Sequence, residues 1–397
     1  MTDMNLSEGA ELIIQRLYNN GYTAHAVGGS VRDHLLGRRS DDCDITTSAT
    51  PSEIKAVFSD LRTIDTGIKH GTVTVIFEGE QYEVTTYRED GEYLDNRHPS
   101  SVSFTRSLSS DLSRRDFTVN AMAYNRKEGY TDLFGGMDDL NNKIIRAVGN
   151  AEKRFTEDAL RILRAVRFAS VLGFTIEKNT ASAAREKKHL LQGISKERVF
   201  VEWQKLLGGE NAYSVIKEYA DVIEAAIPHL KITALPKEEL FKKADGFTRA
   251  LSLYYLSSAT PCEDFSLSMK ELKTDTRTRE LGRDALKIVG STDLTSEKSM
   301  GIALMEYGLD AVSEAIRLSI LVELCDTSAL TTLDEIIREE RPYKISDLHI
   351  NGNDLIRLGV KGREIGEILS TLLKKVIIGE TENSAESLLS CAMNIKK

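Results

Sequence analysis

The sequence predicts an α+β fold in which a mixed sheet with flanking helices is followed by an elongated all-helical region. Up to about residue 145, short β-like runs alternate with helical stretches. Beyond about Glu152, nearly every segment repeats apolar residues at helical spacing. The prolines of the second half fall between those helical runs, where they interrupt no helix: Pro228, Pro236, Pro261 and Pro342.

The first half contains short elements whose boundaries follow from local residues. In chain order we predict a helix, a strand, a helix and a strand over Gly9–Asn19, His25–Val27, Ser30–Leu36 and Cys43–Thr46. The next helix begins at Pro51, with Thr50 as its N-cap and Glu53 completing a capping box. Two β runs, Gly71–Phe77 and Gln81–Tyr87, flank a turn at 78–80 and predict a hairpin.

The second half is predicted to be helical throughout. Its clearest amphipathic runs are Ala159–Val171, Val199–Leu207, Ala212–Ala226, Phe247–Ser257 and Ser313–Leu324. A chain of 397 residues with 41% hydrophobic content is long enough to bury more than one core. We therefore expect two or more structural units.

Composition excludes several classes of protein. No segment resembles a secretory signal or a membrane span, so we expect a soluble cytoplasmic protein with no membrane contact and no evident protein partner. The net charge of −9 argues against a protein coated in nucleic acid, so any RNA contact must use local basic patches. The cysteines lie far apart, which favours reduced thiols over disulfides or zinc: Cys43, Cys262, Cys325 and Cys391.

Two aspartates on a predicted strand form a candidate metal site. Asp42 and Asp44 are two residues apart, so their carboxylates project to the same face of the strand. Such close like charges repel unless a cation lies between them, and oxygen ligands beside a phosphate favour Mg²⁺. Glu83, in the hairpin strand, is a candidate third carboxylate. A polar turn at Asp42 and a solvent-facing edge position for Glu83 remain alternatives.

A glycine pair between a strand and a helix forms a candidate phosphate site. Gly28, Gly29 and Ser30 end the predicted strand and open a helix that also carries Arg32. Glycines allow successive backbone N–H groups to face an anion, and the N-terminus of a helix favours phosphate. No Gly-Lys-Ser/Thr follows, so this is not a Walker loop, and taken alone the segment also fits a tight turn.

Three sequence blocks together resemble a known family. The segment 28–33, Gly-Gly-Ser-Val-Arg-Asp, followed by Asp42-Cys43-Asp44, resembles the nucleotidyltransferase signature of the polymerase-β-like superfamily. The blocks Arg114–Ala121 and Glu157–Arg161 narrow the resemblance to the class II tRNA nucleotidyltransferase and bacterial poly(A) polymerase family. The resemblance implies a polymerase-β-like nucleotidyltransferase domain at the N-terminus and an RNA-binding helical region after it.

The resemblance also implies roles for individual residues. It makes Asp42, Asp44 and Glu83 the catalytic ligands of the metal ions. It assigns nucleotide binding to Gly28, Gly29, Ser30, Arg32, Arg115, Asp116, Asn120, Asp158, Arg161 and Arg164. Within that set the first four hold the triphosphate, and Arg115 and Asp116 contact ribose and phosphate. The chemistry needs no protein nucleophile, because metal ions activate the RNA 3′-hydroxyl and stabilise the pyrophosphate.

A carboxylate and a guanidinium could select the base without a template. Asp158 and Arg161 are three residues apart on a predicted helix, with Arg164 one turn further along. Cytosine and adenine share an amino donor beside an unprotonated ring nitrogen, whereas uracil and guanine present a carbonyl beside a ring N–H. Asp158 can accept from the amino group while Arg161 donates to the ring nitrogen, so C and A fit and U and G do not. A helical ion pair with no role in selection is the alternative.

Other segments favour one branch of the family. Residues 65–73 resemble the tRNA-specific members, and 88–111 resemble the flexible loop in the length found in enzymes that add all of CCA. We therefore expect CCA addition to tRNA from CTP and ATP, with contact to the acceptor stem and 3′ end. The expected division is a catalytic head at 1–145, a nucleotide-selecting neck at 146–210, a body at 211–325 and a tRNA-binding tail at 326–397.

Other functions compete with CCA addition as interpretations of the sequence. An A-adding or CC-adding tRNA enzyme, or less readily a poly(A) polymerase, shares the same blocks. A non-catalytic RNA-binding relative is disfavoured, because adjacent carboxylates would repel RNA without serving catalysis. Nucleotidyltransferases that modify small molecules lack the segment Glu157–Arg161 and the long helical region.

Overall fold

The computed structural model describes residues 4–38, 43–91 and 102–395. The chain folds into two compact units, Met1–Ala226 and Ile227–Lys397. The finer division into four parts stays a prediction. In the described ranges no helix is both long enough and apolar enough to cross a membrane.

The first unit contains the strands and the helices around them. Its helices are α1 (Glu8–Asn19), α2 (Gly29–Leu35), α3 (Pro51–Val57), α4 (Leu108–Ser113), α5 (Gly136–Asn141), α6 (Ala151–Glu157), α7 (Leu160–Leu172), α8 (Lys178–Lys187), α9 (Lys196–Leu207), α10 (Ala212–Glu218) and α11 (Ala220–Ala226). Its strands are β1 (Ala24–Val27), β2 (Asp44–Thr47), β3 (Arg62–Gly67), β4 (Thr72–Phe77), β5 (Glu80–Thr86), β6 (Arg88–Asp90), β7 (Val102–Phe104), β8 (Met122–Asn125), β9 (Gly129–Asp132), β10 (Ile144–Ile145) and β11 (Thr175–Ile176).

The second unit is helical, as the apolar spacing predicts. Its helices are α12 (Glu238–Lys243), α13 (Gly246–Ser257), α14 (Pro261–Glu271), α15 (Thr276–Ser291), α16 (Glu297–Leu321), α17 (Ser328–Arg338), α18 (Gly352–Arg357), α19 (Glu364–Ile377) and α20 (Ala385–Ile395). Toward the C-terminus, the apolar side chains of α18, α19 and α20 form one cluster that includes Leu355, Leu372 and Leu388. The predicted fold class, a mixed sheet with helices followed by a helical region, is confirmed.

The mixed sheet brings the predicted strands side by side. Within the described residues its order is β3-β4-β5-β2-β1-β8-β9, in which β2 and β5 are parallel and the other neighbours are antiparallel. The β4–β5 hairpin turns through Glu78 and Gly79, both with positive φ, as a tight hairpin turn requires. At α3, Thr50 and Glu53 make both bonds of the predicted capping box.

Two helical predictions are wrong in detail. The run Ala212–Ala226 is divided into α10 and α11, with Tyr219 between them in a non-helical conformation. The segment Glu157–Arg161 does not start one helix, because α6 ends at Glu157 and Asp158 has extended backbone angles before α7 begins. Sequence spacing alone cannot detect a one- or two-residue break between two helical segments.

Gly209 allows α7 and α9 to approach each other closely. A methyl group placed on Gly209 would lie 2.6 Å from the carbonyl carbon of Ser170 and 2.7 Å from its oxygen. The Ser170 hydroxyl also donates a hydrogen bond of 2.6 Å to the Leu206 carbonyl oxygen. The two helices therefore have no room for a side chain at this position.

We expect Gly209→Ala to lower the free energy of unfolding by about 2 to 3 kcal/mol, because the backbone must move to admit the methyl group. Denaturant unfolding followed by circular dichroism measures the change. Gly193→Ala is the control, since its methyl group would meet nothing within 4 Å. Equal stability of the two variants would show that the approach of α7 to α9 tolerates a side chain.

Candidate active site

The glycine turn after β1 lies against an arginine of the candidate site. Gly28 has φ 75°, a conformation that L side chains rarely adopt, and it precedes the first residue of α2, Gly29. A methyl group on Gly28 would lie 3.1 Å from Nη1 of Arg115, and one on Gly29 would lie 3.5 Å from Nη2 of Arg32. The buried Ser30 hydroxyl donates to the Val27 carbonyl oxygen at 3.1 Å, which fixes the start of α2.

Two of the three predicted carboxylates lie at one level of the sheet. Asp44 is the first residue of β2 and pairs with Val27, directly before the glycine turn. Glu83 lies one residue before the β5 member of the parallel pair Ile45–Val84, so it falls at the level of Asp44 on the adjacent strand. Both residues are exposed. Residues paired at one level share a face of the sheet, which suits a shared cation.

Asp42, the third predicted metal ligand, lies outside the described residues. Among those that are described, no group of three or more His, Cys, Asp or Glu side chains is close enough to hold a metal ion. Cys43, between the two aspartates, is partly buried, and burial raises the pKa of its thiol to about 11. The free thiol is therefore protonated at neutral pH.

A fully buried aspartate holds two adjacent arginines. Asp111 on α4 accepts hydrogen bonds from Arg114 at 2.8 and 3.0 Å and pairs with Nη2 of Arg115 at 3.5 Å. Thr46 of β2 donates to its second oxygen at 3.2 Å. Burial favours the neutral acid, but the charges of both arginines and these hydrogen bonds hold the pKa of Asp111 below its usual value. Asp111 thus ties the two arginines to the face of the sheet that bears Asp44.

Arg115 retains unused hydrogen-bonding capacity. Its Nε is buried and has no hydrogen-bond partner in the described structure. Burial lowers the pKa of its guanidinium, an effect opposed by the charges of Asp111 and Asp44. A buried donor without an acceptor is costly, so Arg115 is suited to bind an anion.

A chain of side-chain contacts links the glycine turn to α7. Arg32 donates to Asp33 at 2.9 and 2.8 Å and, through Nη1, to the Asn120 side-chain oxygen at 2.6 Å. Asn120 donates to Oδ1 of Asp116 at 3.0 Å. Arg164 of α7 donates to Oδ2 of Asp116 at 2.9 and 2.7 Å. Four of the predicted nucleotide-binding residues therefore form one connected set.

Asp116 is ionised in this network. Burial alone would raise its pKa, but the Arg164 charge and the hydrogen bonds from Asn120 and Arg164 lower it to about 2. Asp116 therefore remains an acceptor at any pH at which the protein would be assayed.

Asp158 occupies the break between α6 and α7. Its Oδ1 accepts from the backbone N–H of Leu160, the first residue of α7, at 3.1 Å. Its Oδ2 accepts from Arg198 of α9 at 3.0 Å. The side chain stays partly exposed, so its oxygens can accept further hydrogen bonds.

Arg161 binds partners other than Asp158. Its Nη1 donates to Glu157 at 3.0 Å and to the Arg154 carbonyl oxygen at 3.2 Å, and its Nη2 donates to the Arg114 carbonyl oxygen at 2.9 Å. The expectation of a helical pair between Asp158 and Arg161 is thus not met, because the break before α7 separates them. Arg161 instead attaches α7 to the residue next to Arg115.

A large cleft lies beside these residues. It has a volume of about 1110 Å³ and is lined by Glu89, Gly91, Ser110, Ser113, Arg114, Asn150, Glu152, Lys153, Arg154, Thr156, Glu157 and Lys187. Its walls include Arg114, Arg154 and Glu157, the three hydrogen-bond partners of Arg161. The cleft is large enough to admit a nucleotide or the end of an RNA strand.

Sequence reasoning misses two acidic residues of this region. Asp111 falls in a segment that the sequence predicts only as a loop, and no motif includes Glu202, which binds Arg164 and Arg167. A signal is present for Glu202, because it falls on the buried stripe of α9 with Val199 and Trp203. A charged residue on such a stripe indicates a buried ion pair.

Family models match most of the chain. Residues 24–146 match the poly A polymerase head domain, 173–222 the probable RNA- and SrmB-binding site of polymerase A, and 248–392 the putative tRNA nucleotidyltransferase domain 2. The match to the head domain agrees with the glycine turn, the carboxylate at the start of β2 and the two arginines held by Asp111. These features together define the class of the protein as a nucleotidyltransferase.

Relatives and a solved structure specify the family. The CCA-adding enzyme of Ligilactobacillus salivarius is 36% identical, covering 96% of this chain and 95% of the relative. That of Lactobacillus delbrueckii is 38% identical, covering 97% and 98%. The crystal structure of the Bacillus stearothermophilus CCA-adding enzyme in complex with CTP is 33% identical, with a TM-score of 0.79 and coverage of 98% and 96%. The chain belongs to the CCA-adding enzyme family of tRNA nucleotidyltransferases, which generally use divalent metal ions.

Proposed function

We propose that this protein adds C, C and A to the 3′ end of tRNA from CTP and ATP, without a nucleic-acid template. The observation that best supports this is the bond of 2.9 Å from Arg161 to the carbonyl oxygen of Arg114. It joins a predicted base-selecting side chain to the residue next to Arg115, which lies over the glycine turn. Base selection and phosphate binding would then occur in one site.

The metal ions are proposed to be Mg²⁺, held by Asp42, Asp44 and Glu83. The fit of these residues to Mg²⁺ rests on Asp44 and Glu83, which lie at the same level of the adjacent strands β2 and β5. When bound, Mg²⁺ would lower the pKa of the tRNA 3′-hydroxyl and neutralise charge on the pyrophosphate.

The protein's own groups would bind and orient the nucleotide. Arg115 has an unpaired buried donor that a phosphate oxygen would satisfy. The absence of a side chain at Gly28 lets Arg115 lie close against the glycine turn, and Arg32 adds positive charge. Asp116, which is ionised, would accept from a ribose hydroxyl.

Selection of C and A would depend on Asp158 and Arg161. Asp158 already accepts two hydrogen bonds from the protein and retains lone pairs for an amino group of the base. Arg161 is held on two sides, by Glu157 and by backbone carbonyls, so its orientation is fixed before the nucleotide binds. A fixed donor and a fixed acceptor would reject U and G, because the donor would then face a donor of the base and the acceptor would face an acceptor.

The full CCA product is supported by the relatives, whose names describe CCA addition. The segment 88–111 contains the paired strands β6 and β7 and the first four residues of helix α4, while 92–101 lie outside the described residues. The proposed partners are the acceptor stem and 3′ end of tRNA, and the proposed location is the cytoplasm.

Stepwise addition tests the proposal. We expect tRNA that ends at the discriminator base to gain C-C with CTP alone, and tRNA ending in C-C to gain A with ATP alone. Both nucleotides together should yield C-C-A, resolved on a sequencing gel with Mg²⁺ present. Addition of only A to tRNA-CC, or of only C-C, would identify a partial-adding enzyme. Long A tails would identify a poly(A) polymerase.

A further inference from the structure

Three arginines surround the buried side chain of Phe168 on α7. The guanidinium carbons of Arg32, Arg164 and Arg167 lie 5.2, 5.3 and 3.6 Å from the centre of its ring. Each guanidinium group is attracted to the face of the ring. Three positive charges so close together also repel one another. Their arrangement therefore depends on the carboxylates placed between them.

Glu202 on α9 lies between two of these arginines. Its Oε2 accepts from Nε of Arg167 at 2.7 Å, and its Oε1 accepts from Nη1 of Arg164 at 3.3 Å. The residue is only 6% exposed, so its charge is weakly screened by water. A carboxylate buried against two guanidinium groups fixes the orientation of both.

Arg164 is consequently held from two sides. Asp116 binds its Nε and Nη2, while Glu202 binds its remaining terminal nitrogen. With both carboxylates in place, the plane of the guanidinium is fixed. Without Glu202, Arg164 would keep a single carboxylate partner and would face the charge of Arg167 directly.

We propose that Glu202 is a positioning residue for the incoming nucleotide: it fixes Arg164, so that Asp116 and Arg164 present a set geometry to the sugar and phosphate. This inference rests on the proposed function, in which both residues bind the nucleotide. Sugar and phosphates are common to CTP and ATP. Glu202 therefore affects the binding of both nucleotides equally and leaves base selection unchanged.

A purely structural role for Glu202 predicts a different result. If Glu202 served only to attach α9 to α7 through Arg167, then removing either partner would have the same effect. Arg167→Gln removes that attachment but leaves the contact between Glu202 and Arg164. The two roles are therefore distinguished by comparing Glu202→Gln with Arg167→Gln.

The experiment measures KM and kcat for C addition and A addition to tRNA, and the Kd for CTP by isothermal titration. For Glu202→Gln we expect KM for both nucleotides and the Kd for CTP to rise about 10-fold, the effect of losing one charged hydrogen bond. The ratio of CTP to UTP incorporation should stay unchanged. Arg167→Gln should lower the melting temperature yet leave KM within about 2-fold of the original, since about 0.4 kcal/mol corresponds to that change.

Glu210→Gln, an exposed position just after α9, is the matched control and should change nothing. If Glu202→Gln no longer unfolds cooperatively, we would assay the double variant that carries both Glu202→Gln and Arg167→Gln. This variant removes one negative and one positive charge, and we expect the same rise in KM. Unchanged KM, an equal rise in Arg167→Gln, or a rise for one nucleotide only would overturn the proposal. If the original protein adds no nucleotide to tRNA, the proposed function fails, and the CTP titration of the variants still decides the role of Glu202.

Discussion

Replacing Asp44 with Asn is expected to abolish nucleotide transfer while leaving the fold intact. Asp44 is an exposed residue at the beginning of β2, so the change removes a charge without altering the core. An amide is a much weaker ligand for Mg²⁺ than a carboxylate. We expect kcat to fall about 10³-fold or more, which corresponds to about 4 kcal/mol of lost transition-state stabilisation.

Single-turnover assays of C addition with saturating CTP and Mg²⁺ measure this effect directly. Asp138→Asn, at an exposed position on α5, is the control and should keep full activity. Thermal unfolding of both variants should match that of the original protein within a few degrees. If Asp44→Asn kept more than a tenth of the original rate, Asp44 would not be a ligand of the catalytic metal.

Local elements could be predicted from the sequence because their causes are local. The helix α3 begins where Thr50, Pro51 and Glu53 predict, since a capping box is formed by residues three apart. The β4–β5 hairpin likewise follows from its two β runs and the glycine of its turn. These elements require no knowledge of the rest of the chain.

The connections between site residues could not be predicted, because they join distant parts of the sequence. Asp111 reaches Thr46 across 65 residues, and Arg164 reaches Asp116 across 48. No periodicity indicates which buried carboxylate will face which arginine. The resemblance to a family supplied the candidate residues, but the positions of Asp111 and Glu202 came from the structure.

The break at Asp158 changes how base selection should be understood. A continuous helix would place Asp158 and Arg161 on one face, where they would neutralise each other. The structure instead assigns each a separate partner, Arg198 for Asp158 and Glu157 for Arg161. Each is therefore held by a partner of its own and not by the other, and each should make an independent contribution to selectivity.

Substituting either residue with Ala is accordingly expected to relax discrimination against UTP and GTP. Loss of one charged hydrogen bond to the base should lower the preference for CTP over UTP by about 10- to 100-fold. Competition assays on tRNA with mixed nucleotides, followed by sequencing of the 3′ ends, measure this preference for Asp158→Ala and Arg161→Ala.

Stability and selectivity must be separated in the Asp158 variant, because Asp158 also binds the first backbone N–H of α7. Asp158→Ala should cost about 1 kcal/mol of stability through the loss of this hydrogen bond. Asp158→Asn keeps an oxygen for the Leu160 N–H but loses the charge that faces Arg198 and the base. We therefore expect the Asn variant to retain most of the stability and still lose selectivity. Unchanged selectivity in both Ala variants would mean that the bases are read by other groups, and Asp158 and Arg161 would then serve only to join α7 to its neighbours.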